Sequence, residues 1–388
     1  MQKSEQIRVL KTMMGHLDAK TNVDVGGVIR NPASAYTDPA RAEQEWEHFF
    51  RAYPQIIGLT GDLPEPDNFI TRNDFGVPLL ATRDGSGRFR AFANVCRHRG
   101  TIVESEARGK KRAFSCPFHG WTYNAEGELV GIPQEGQFGE IDKKAHCLIE
   151  LPSEERFGFL FVHPQPDGEL DTDALLAGLV DEFPTWRFEQ LVLCDEDVYE
   201  SSMNWKLAND TYGESYHFNL LHKNTLALTF YGNCQTYDTY GRNHRMGLCL
   251  KNIDTLRELS EDQWHVNLGA FSIYYLFPNI QAIVGHNGMS LVRIYPVPGE
   301  VGKSVTKISF YAWPTTLSDR PEAQDEIQRN FGATIRDEDY MVAALSQVGA
   351  DSGVQKEVVF GRNEPALHHF HNTYREALGL EALPLLDA

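Results

Sequence analysis

The sequence predicts an α+β protein, with a small all-β domain followed by a larger domain of antiparallel sheet and helix. Three observations carry that expectation. From about Ile56 to Pro164, short apolar runs alternate with Gly, Asn and Asp turns. Beyond Pro164-Gln165-Pro166-Asp167-Gly168 the pattern changes to helical stretches interleaved with longer strands. The chain has 388 residues and is 41% hydrophobic, enough for two separate cores. The expected boundaries are 1–50 for an N-terminal helical segment packing on the larger domain, 51–165 for the β domain, and 166–388 for the larger domain.

Along the chain, residues 39–53 read as a helix. A proline stands at its start, and Glu43, Glu45 and Glu47 interleave with Trp46, Phe49 and Phe50. Strands are expected at 78–82 and 88–92 around the Arg83-Asp84-Gly85-Ser86-Gly87 turn, then at 121–123 and 158–162. In the larger domain a helix is expected over 173–183 and a helical stretch over 205–222. Strands follow at 271–276, 281–284, 290–296 and 305–313. A last helix is expected from near Arg320 to about Val348.

Composition excludes several functions. The net charge is −18 and no lysine–arginine block stands out, which argues against nucleic acid and against an anionic membrane surface. No run of 18 or more apolar residues occurs, and the first 30 residues lack a signal-peptide core. A cytoplasmic protein without a membrane span is expected. Of six cysteines, four (147, 194, 234 and 249) are scattered, as suits reduced core thiols rather than a disulfide framework.

The other two cysteines carry chemistry. Cys96-Arg97-His98 is followed, after seventeen intervening residues, by Cys116-Pro117-Phe118-His119, with Gly100, Gly120 and Trp121 beside them. Two thiolates for one iron and two neutral imidazoles for the other make the ligand set of a Rieske [2Fe–2S] centre. Neutral nitrogens in place of anionic sulfurs leave the cluster less negative, so it accepts an electron more readily. Zinc sites of two cysteines and two histidines more often place the cysteines together and then the histidines.

A second constellation lies in Asn204-Trp205-Lys206-Leu207-Ala208-Asn209-Asp210 and on through Glu214, His217 and His222. Histidines five apart differ by about 140° on an ideal helix, so one metal can hold both only if the helix ends, loosens or bulges between them. Two imidazoles and one carboxylate would form the facial triad of a non-haem Fe(II) site. The run Asp337-Glu338-Asp339 ahead of Tyr340-Met341-Val342 is the candidate source of the acid.

Together these motifs resemble the catalytic subunit of Rieske non-haem iron oxygenases, the ring-hydroxylating and demethylating family, over nearly the whole chain. The resemblance implies a Rieske domain joined to a helix-grip-like catalytic domain. It implies that Cys96, His98, Cys116 and His119 hold the cluster and that His217 and His222 hold the iron. Asp339 maps best as the third ligand. A helical wheel instead puts Glu338 nearest the apolar stripe of Met341, Val342 and Leu345, and Asp337 is a further option. Glu214 matches the carboxylate that links a cluster histidine of one subunit to an iron histidine of the next, and carries Glu where many members have Asp. Asp210 stands where many members have Asn, either approaching the iron or capping a helix.

The resemblance further implies a homotrimer acting on a small molecule and O2. No Gly-x-Gly-x-x-Gly fingerprint opens a β-α unit, so electrons are expected from NAD(P)H through a separate ferredoxin or reductase. The expected substrate is aromatic, with a quaternary amine as the alternative and a non-catalytic electron carrier as the rival. Phe218, Leu221, Leu226, Leu228, Phe230, Tyr274, Phe277 and Ile283 are pocket candidates or ordinary core, and Lys223, Arg242, Arg245 and Arg293 either bind a substrate carboxylate or lie on the surface. His368-His369-Phe370-His371 reads as structural or solvent-exposed.

Overall fold

The computed structural model describes residues 1–320, 322 and 331–387. It divides into two compact units. One comprises Trp46–Thr172 with Arg187–Gln190; the other comprises Met1–Glu45, Asp173–Trp186 and the chain from Leu191 onward. The α+β class is as expected.

The smaller unit is all β apart from short turns. A five-stranded antiparallel sheet runs in the order Glu150–Leu151, Phe89–Ala93, Leu79–Arg83, Asn68–Arg72, Arg108–Lys110. A three-stranded sheet pairs Ser153–Arg156, Phe159–Val162 and Gln55–Leu59. Another three-stranded sheet, Ala113–Ser115, Thr122–Asn124 and Leu129–Gly131, carries one of the cysteine–histidine loops. Phe69, Leu80, Phe92, Phe114, Trp121 and Tyr123 form a core that also encloses Cys96 and Cys116.

The larger unit is built on a seven-stranded antiparallel sheet. Its order is Val192–Ser201, Glu300–Ala312, Gly288–Val297, Ile280–Val284, Ala270–Leu276, Asn243–Leu250, Phe230–Tyr240. The N-terminal helix Lys3–Ala19 buries Val9, Leu10, Met13 and Met14. Gly247 and Gly269 leave the room it needs, since a β-carbon there would meet Met13 and Leu10. The helix Pro365–Ala377 buries Leu367, His368, Phe370, His371 and Tyr374.

The strands expected at 271–276, 281–284, 290–296 and 305–313 are present, each extended or shifted by a few residues. Three others were not expected: Val192–Ser201, Phe230–Tyr240 and Asn243–Leu250. The segment expected to be one helix over 39–53 is an α-helix over Pro39–Glu45 and a π-turn over Trp46–Arg51. The helix expected over 173–183 breaks after Leu176, where Ala177 takes a positive φ of 50°. The helix expected from Arg320 is divided. A helix over Pro314–Asp319 ends there, and the expected stretch 321–330, Glu322 apart, lies outside the described residues. A π-turn over Ile335–Asp339 then leads into Tyr340–Asp351.

Candidate metal centres

The two cysteine–histidine loops close in the same way. In the first, the Gly100 N–H donates to the Cys96 carbonyl at 2.9 Å, and the Cys96 N–H to Thr101 at 2.8 Å. In the second, the Gly120 N–H donates to the Cys116 carbonyl at 2.9 Å, and the Cys116 N–H to Trp121 at 2.8 Å. Gly100 and Gly120 sit at φ of 77° and 69°, a left-handed conformation that favours glycine.

This repeated turn brings the four side chains together. Cys96 and Cys116 are buried and reduced. The rings of His98 and His119 lie 4.6 Å apart, and Trp121 stacks on His98 at 5.1 Å. His98 Nδ1 is buried with no hydrogen-bond partner among the described residues. Such an orphaned nitrogen calls for a ligand. Burial, followed by the charges of His98 and Arg99, lowers the pKa of His119 and favours the neutral imidazole a metal needs. Two thiols, two imidazoles and an orphaned ring nitrogen fit a Rieske cluster.

The second centre grows out of the helix Trp205–Asp210. Asn204 caps it, its side chain accepting from the Lys206 N–H at 3.0 Å. The helical stretch expected over 205–222 is shorter than that: the helix ends at Asp210, ahead of both histidines. Tyr212 and Gly213 turn back on the carbonyls of Asn209 and Asp210, and a short 3-10 turn over Tyr216–Asn219 follows. Glu214 holds that turn. One carboxylate oxygen accepts from the N–H groups of Tyr216 and His217, and the other bonds His217 Nδ1. Fixing Nδ1 leaves Nε2 as the free donor atom.

Three ligand atoms converge. His217 Nε2 lies 3.1 Å from His222 Nε2 and 3.3 Å from Asp339 Oδ1. His222 Nε2 lies 3.1 Å from the same oxygen. His217, His222 and Asp339 form a metal-capable group with all donor atoms within 4.8 Å of one another. Burial lowers the His217 pKa, but the hydrogen bonds to Asp339 and Glu214 outweigh it and raise it to about 10. His222 is raised by the same kind of partners against the same burial. The negative field that holds a proton here would equally hold a cation.

The acidic run resolves into three separate environments. Asp339 is buried and faces both histidines. Glu338 bonds His222 Nδ1 and accepts from the Thr225 hydroxyl at 2.6 Å. Asp337 is exposed and paired with Arg336 at 2.6 Å.

Several expectations need correction. Arg245 is locked inside by Glu182 at 2.5 Å, Asp238 at 2.7 Å and Glu5. Arg293 is buried against Glu196 at 2.9 Å and Ser309 at 2.8 Å. Neither is placed to receive a substrate carboxylate. Tyr274 belongs to the same internal network, accepting from Trp186 Nε1 at 2.7 Å and donating to Glu182. Leu228 is 69% exposed. Arg242 lies over the Phe277 ring at 5.2 Å, and Lys223 is exposed. Phe218 and Phe230 do approach the centre: Phe218 lies 5.5 Å from His222 and 6.0 Å from Phe230, which meets Phe271 at 5.1 Å.

Asp210 neither caps the helix start nor joins the ligand group. It accepts from Tyr36 at 2.8 Å and from His371 at 2.9 Å. His371 is therefore structural rather than exposed. Sequence reasoning missed this trio, and it weighed Glu338 as an alternative third ligand rather than as a partner of His222 Nδ1.

Both regions of the chain match families of known proteins. Residues 54–151 match the model of the Rieske [2Fe-2S] domain, and residues 188–380 match that of the ring hydroxylating alpha subunit (catalytic domain). The chain is 26% identical over 356 residues to the chloroplastic choline monooxygenase of Spinacia oleracea, covering 89% of this chain and 78% of the relative. It is 30% identical over 220 residues to the anthranilate 1,2-dioxygenase large subunit of Acinetobacter baylyi, covering 55% of this chain and 46% of the relative. Its fold is similar to that of a quaternary ammonium Rieske monooxygenase solved with L-carnitine, with a TM-score of 0.76 at 22% identity, covering 92% of this chain and 97% of that one.

Proposed function

Because this chain belongs to the Rieske non-haem iron oxygenases, as a catalytic alpha subunit, we propose that it uses O2 to hydroxylate or oxidatively demethylate an aromatic substrate. The enzyme is an oxidoreductase whose family cofactors, a Rieske [2Fe–2S] cluster and a mononuclear ferrous iron, supply single electrons and a site for O2 activation when bound. Electrons would arrive from NAD(P)H through a separate reductase or ferredoxin, in the cytoplasm.

In this reading Cys96, His98, Cys116 and His119 hold the cluster, and His217, His222 and Asp339 hold the iron. The observation that carries it is the orientation of the two imidazoles. Each has its Nδ1 taken by its own carboxylate, Glu214 for His217 and Glu338 for His222, so both Nε2 atoms turn toward Asp339. Rings fixed in this way bind a metal without first having to reorient. Glu214 also acts between subunits, where its carboxylate joins His217 to the cluster ligand His119 of a second copy in a homotrimer. The surfaces beside both groups suit such contact. Phe118, next to His119, is 50% exposed, and Tyr216 and Leu220, beside His217, are 66% and 84% exposed.

One specific observation favours a second substrate class. A similarity that spans 89% of the chain is to choline monooxygenase. The rings of Phe218, Phe230 and Phe271 lead away from His222, and aromatic rings can take a methylated ammonium as well as another aromatic ring. A screen with a generic reductase separates the two readings. Anthranilate and benzoate are set against choline, glycine betaine and carnitine, with substrate-stimulated O2 uptake and product mass as readouts. Uptake with the first group and a hydroxylated or demethylated product supports the aromatic reading; uptake with the second group alone replaces it.

A further inference from the structure

The turn that presents Glu214 and His217 is gripped from behind by a buried polar trio. Asp210, the last residue of the helix Trp205–Asp210, has both carboxylate oxygens engaged: Oδ2 accepts from the Tyr36 hydroxyl at 2.8 Å, and Oδ1 accepts from His371 Nε2 at 2.9 Å. Tyr36 is 1% and His371 0% exposed. The Asn31 side-chain nitrogen lies 3.1 Å from His371 Nδ1. Donation by that amide leaves Nδ1 the acceptor and puts the proton on Nε2, the tautomer that donates to Asp210. Phe360 stacks on the same imidazole at 4.8 Å and fixes its plane.

The helix Pro365–Ala377 that supplies His371 also supplies Leu367, whose side chain fills the space a β-carbon on Gly213 would need. The turn 211–213 is thus pinned at its start by His371 on Asp210 and at its end by Leu367 on Gly213. The front of the helix is fixed as well. Lys206 and Trp205 both bond Glu45, at 2.6 Å and 2.8 Å, and Gln281 donates to Asn209 at 2.9 Å. The loop from Glu214 onward extends from this frame toward His222 and Asp339.

We propose that Asp210, held by Tyr36 and His371, is a positioning residue that sets the aim of Glu214 onto His217 Nδ1. The inference rests on the reading of Glu214 as the carboxylate that orients an iron ligand. Aspartate is needed because it receives two donors; an asparagine would turn its amide toward one of them and lose that bond. None of the bonds that hold the frame is made to an iron ligand; its effect reaches His217 through the loop that carries Glu214.

The test compares holoenzyme variants by the EPR spectrum of the nitric oxide adduct of the mononuclear iron and by the rate at which a mild chelator removes that iron. The variants are Asp210→Asn, Tyr36→Phe, His371→Leu, His371→Gln and Glu214→Gln. The expected result is that Asp210→Asn and His371→Leu reproduce the altered spectrum of Glu214→Gln and lose iron about tenfold faster, the order expected for one buried hydrogen bond to a charged acceptor. Tyr36→Phe, which removes only a hydroxyl and keeps the fold, moves the spectrum the same way. His371→Gln, whose amide can donate to Asp210, restores the wild-type spectrum. A wild-type spectrum and chelation rate in both Asp210→Asn and Tyr36→Phe would overturn the positioning role. A wild-type spectrum in Glu214→Gln would overturn instead the reading of Glu214 on which it rests.

Discussion

Glu338 bonds Nδ1 of His222 and thereby turns the opposite nitrogen of that ring toward Asp339, the next residue in the chain. Consecutive residues on an ideal α-helix point about 100° apart and do not converge on one side chain. Here both reach the His222 ring, from opposite sides, and both lie in Ile335–Asp339, a π-turn, a helical irregularity that recurs at functional sites. The pair divides the labour: Asp339 faces both histidines, and Glu338 fixes the ring of one.

That division predicts two different losses. Asp339→Ala should leave the protein with its cluster and without mononuclear iron. Glu338→Gln should retain the iron but bind it about 10–100-fold more weakly, the usual cost of losing a partner that orients a metal-binding histidine. Iron counts with chelator competition measure both. Equal iron loss in the two variants would contradict the assignment.

Glu214→Gln should keep both metals and nearly abolish turnover, since the amide cannot hold His217 Nδ1 and take up a charged link to a second copy at once. The check is product formation at verified metal content. Full activity with intact metals would remove Glu214 from the relay.

Much of the chemistry was legible in the sequence because it is local. Each cysteine–histidine pair lies within one tight loop, and the five-residue spacing of His217 and His222 demanded an irregularity between them, found where the 3-10 turn Tyr216–Asn219 ends. What stayed hidden depends on distant contacts. Asp210 meets residues 174 and 161 positions away in Tyr36 and His371, and no local pattern announces that. The helical wheel put Glu338 ahead of Asp339 because it took Met341, Val342 and Leu345 for a core-facing stripe, whereas these three are exposed and Asp339 is buried. The unexpected strands have physical reasons too. Val192–Ser201 is an acidic edge strand with little burial, Phe230–Tyr240 is the other edge and carries a bulge, and Asn243–Leu250 buries Asn, His and Arg among its apolar residues.

The buried ion pair of Lys206 and Glu45 predicts a stability effect. The side chains are 1% and 0% exposed and 2.6 Å apart. Lys206→Met strands the Glu45 carboxylate inside and should cost about 3–5 kcal/mol, as breaking a buried pair from one side does. Replacing Glu45 as well, by Leu, should recover much of that loss. Chemical denaturation of wild type and both variants measures it; a single variant as stable as wild type would contradict the pair's structural role.

His244 gives a pH dependence. Burial, followed by the nearby charge of His369, holds its pKa well below the ordinary 6.5. Its ring stacks on Tyr275 at 4.9 Å, and its Nδ1 has no partner among the described residues. The unfolded chain takes up a proton there below about pH 6.5 while the folded protein does not. The folded state therefore keeps its full advantage above that pH and loses it as the pH falls. His244→Phe, which keeps the stacking, should flatten the acid side of the melting-temperature profile. An unchanged acid slope would rule His244 out as its source.

The most direct test is the metal inventory of the purified protein. The account predicts about three irons per chain, two of them giving a Rieske EPR signal when reduced and one removed by a mild chelator. Two irons with no chelatable third would mean an electron carrier without an oxygenase site, and a colourless zinc protein would contradict both centres.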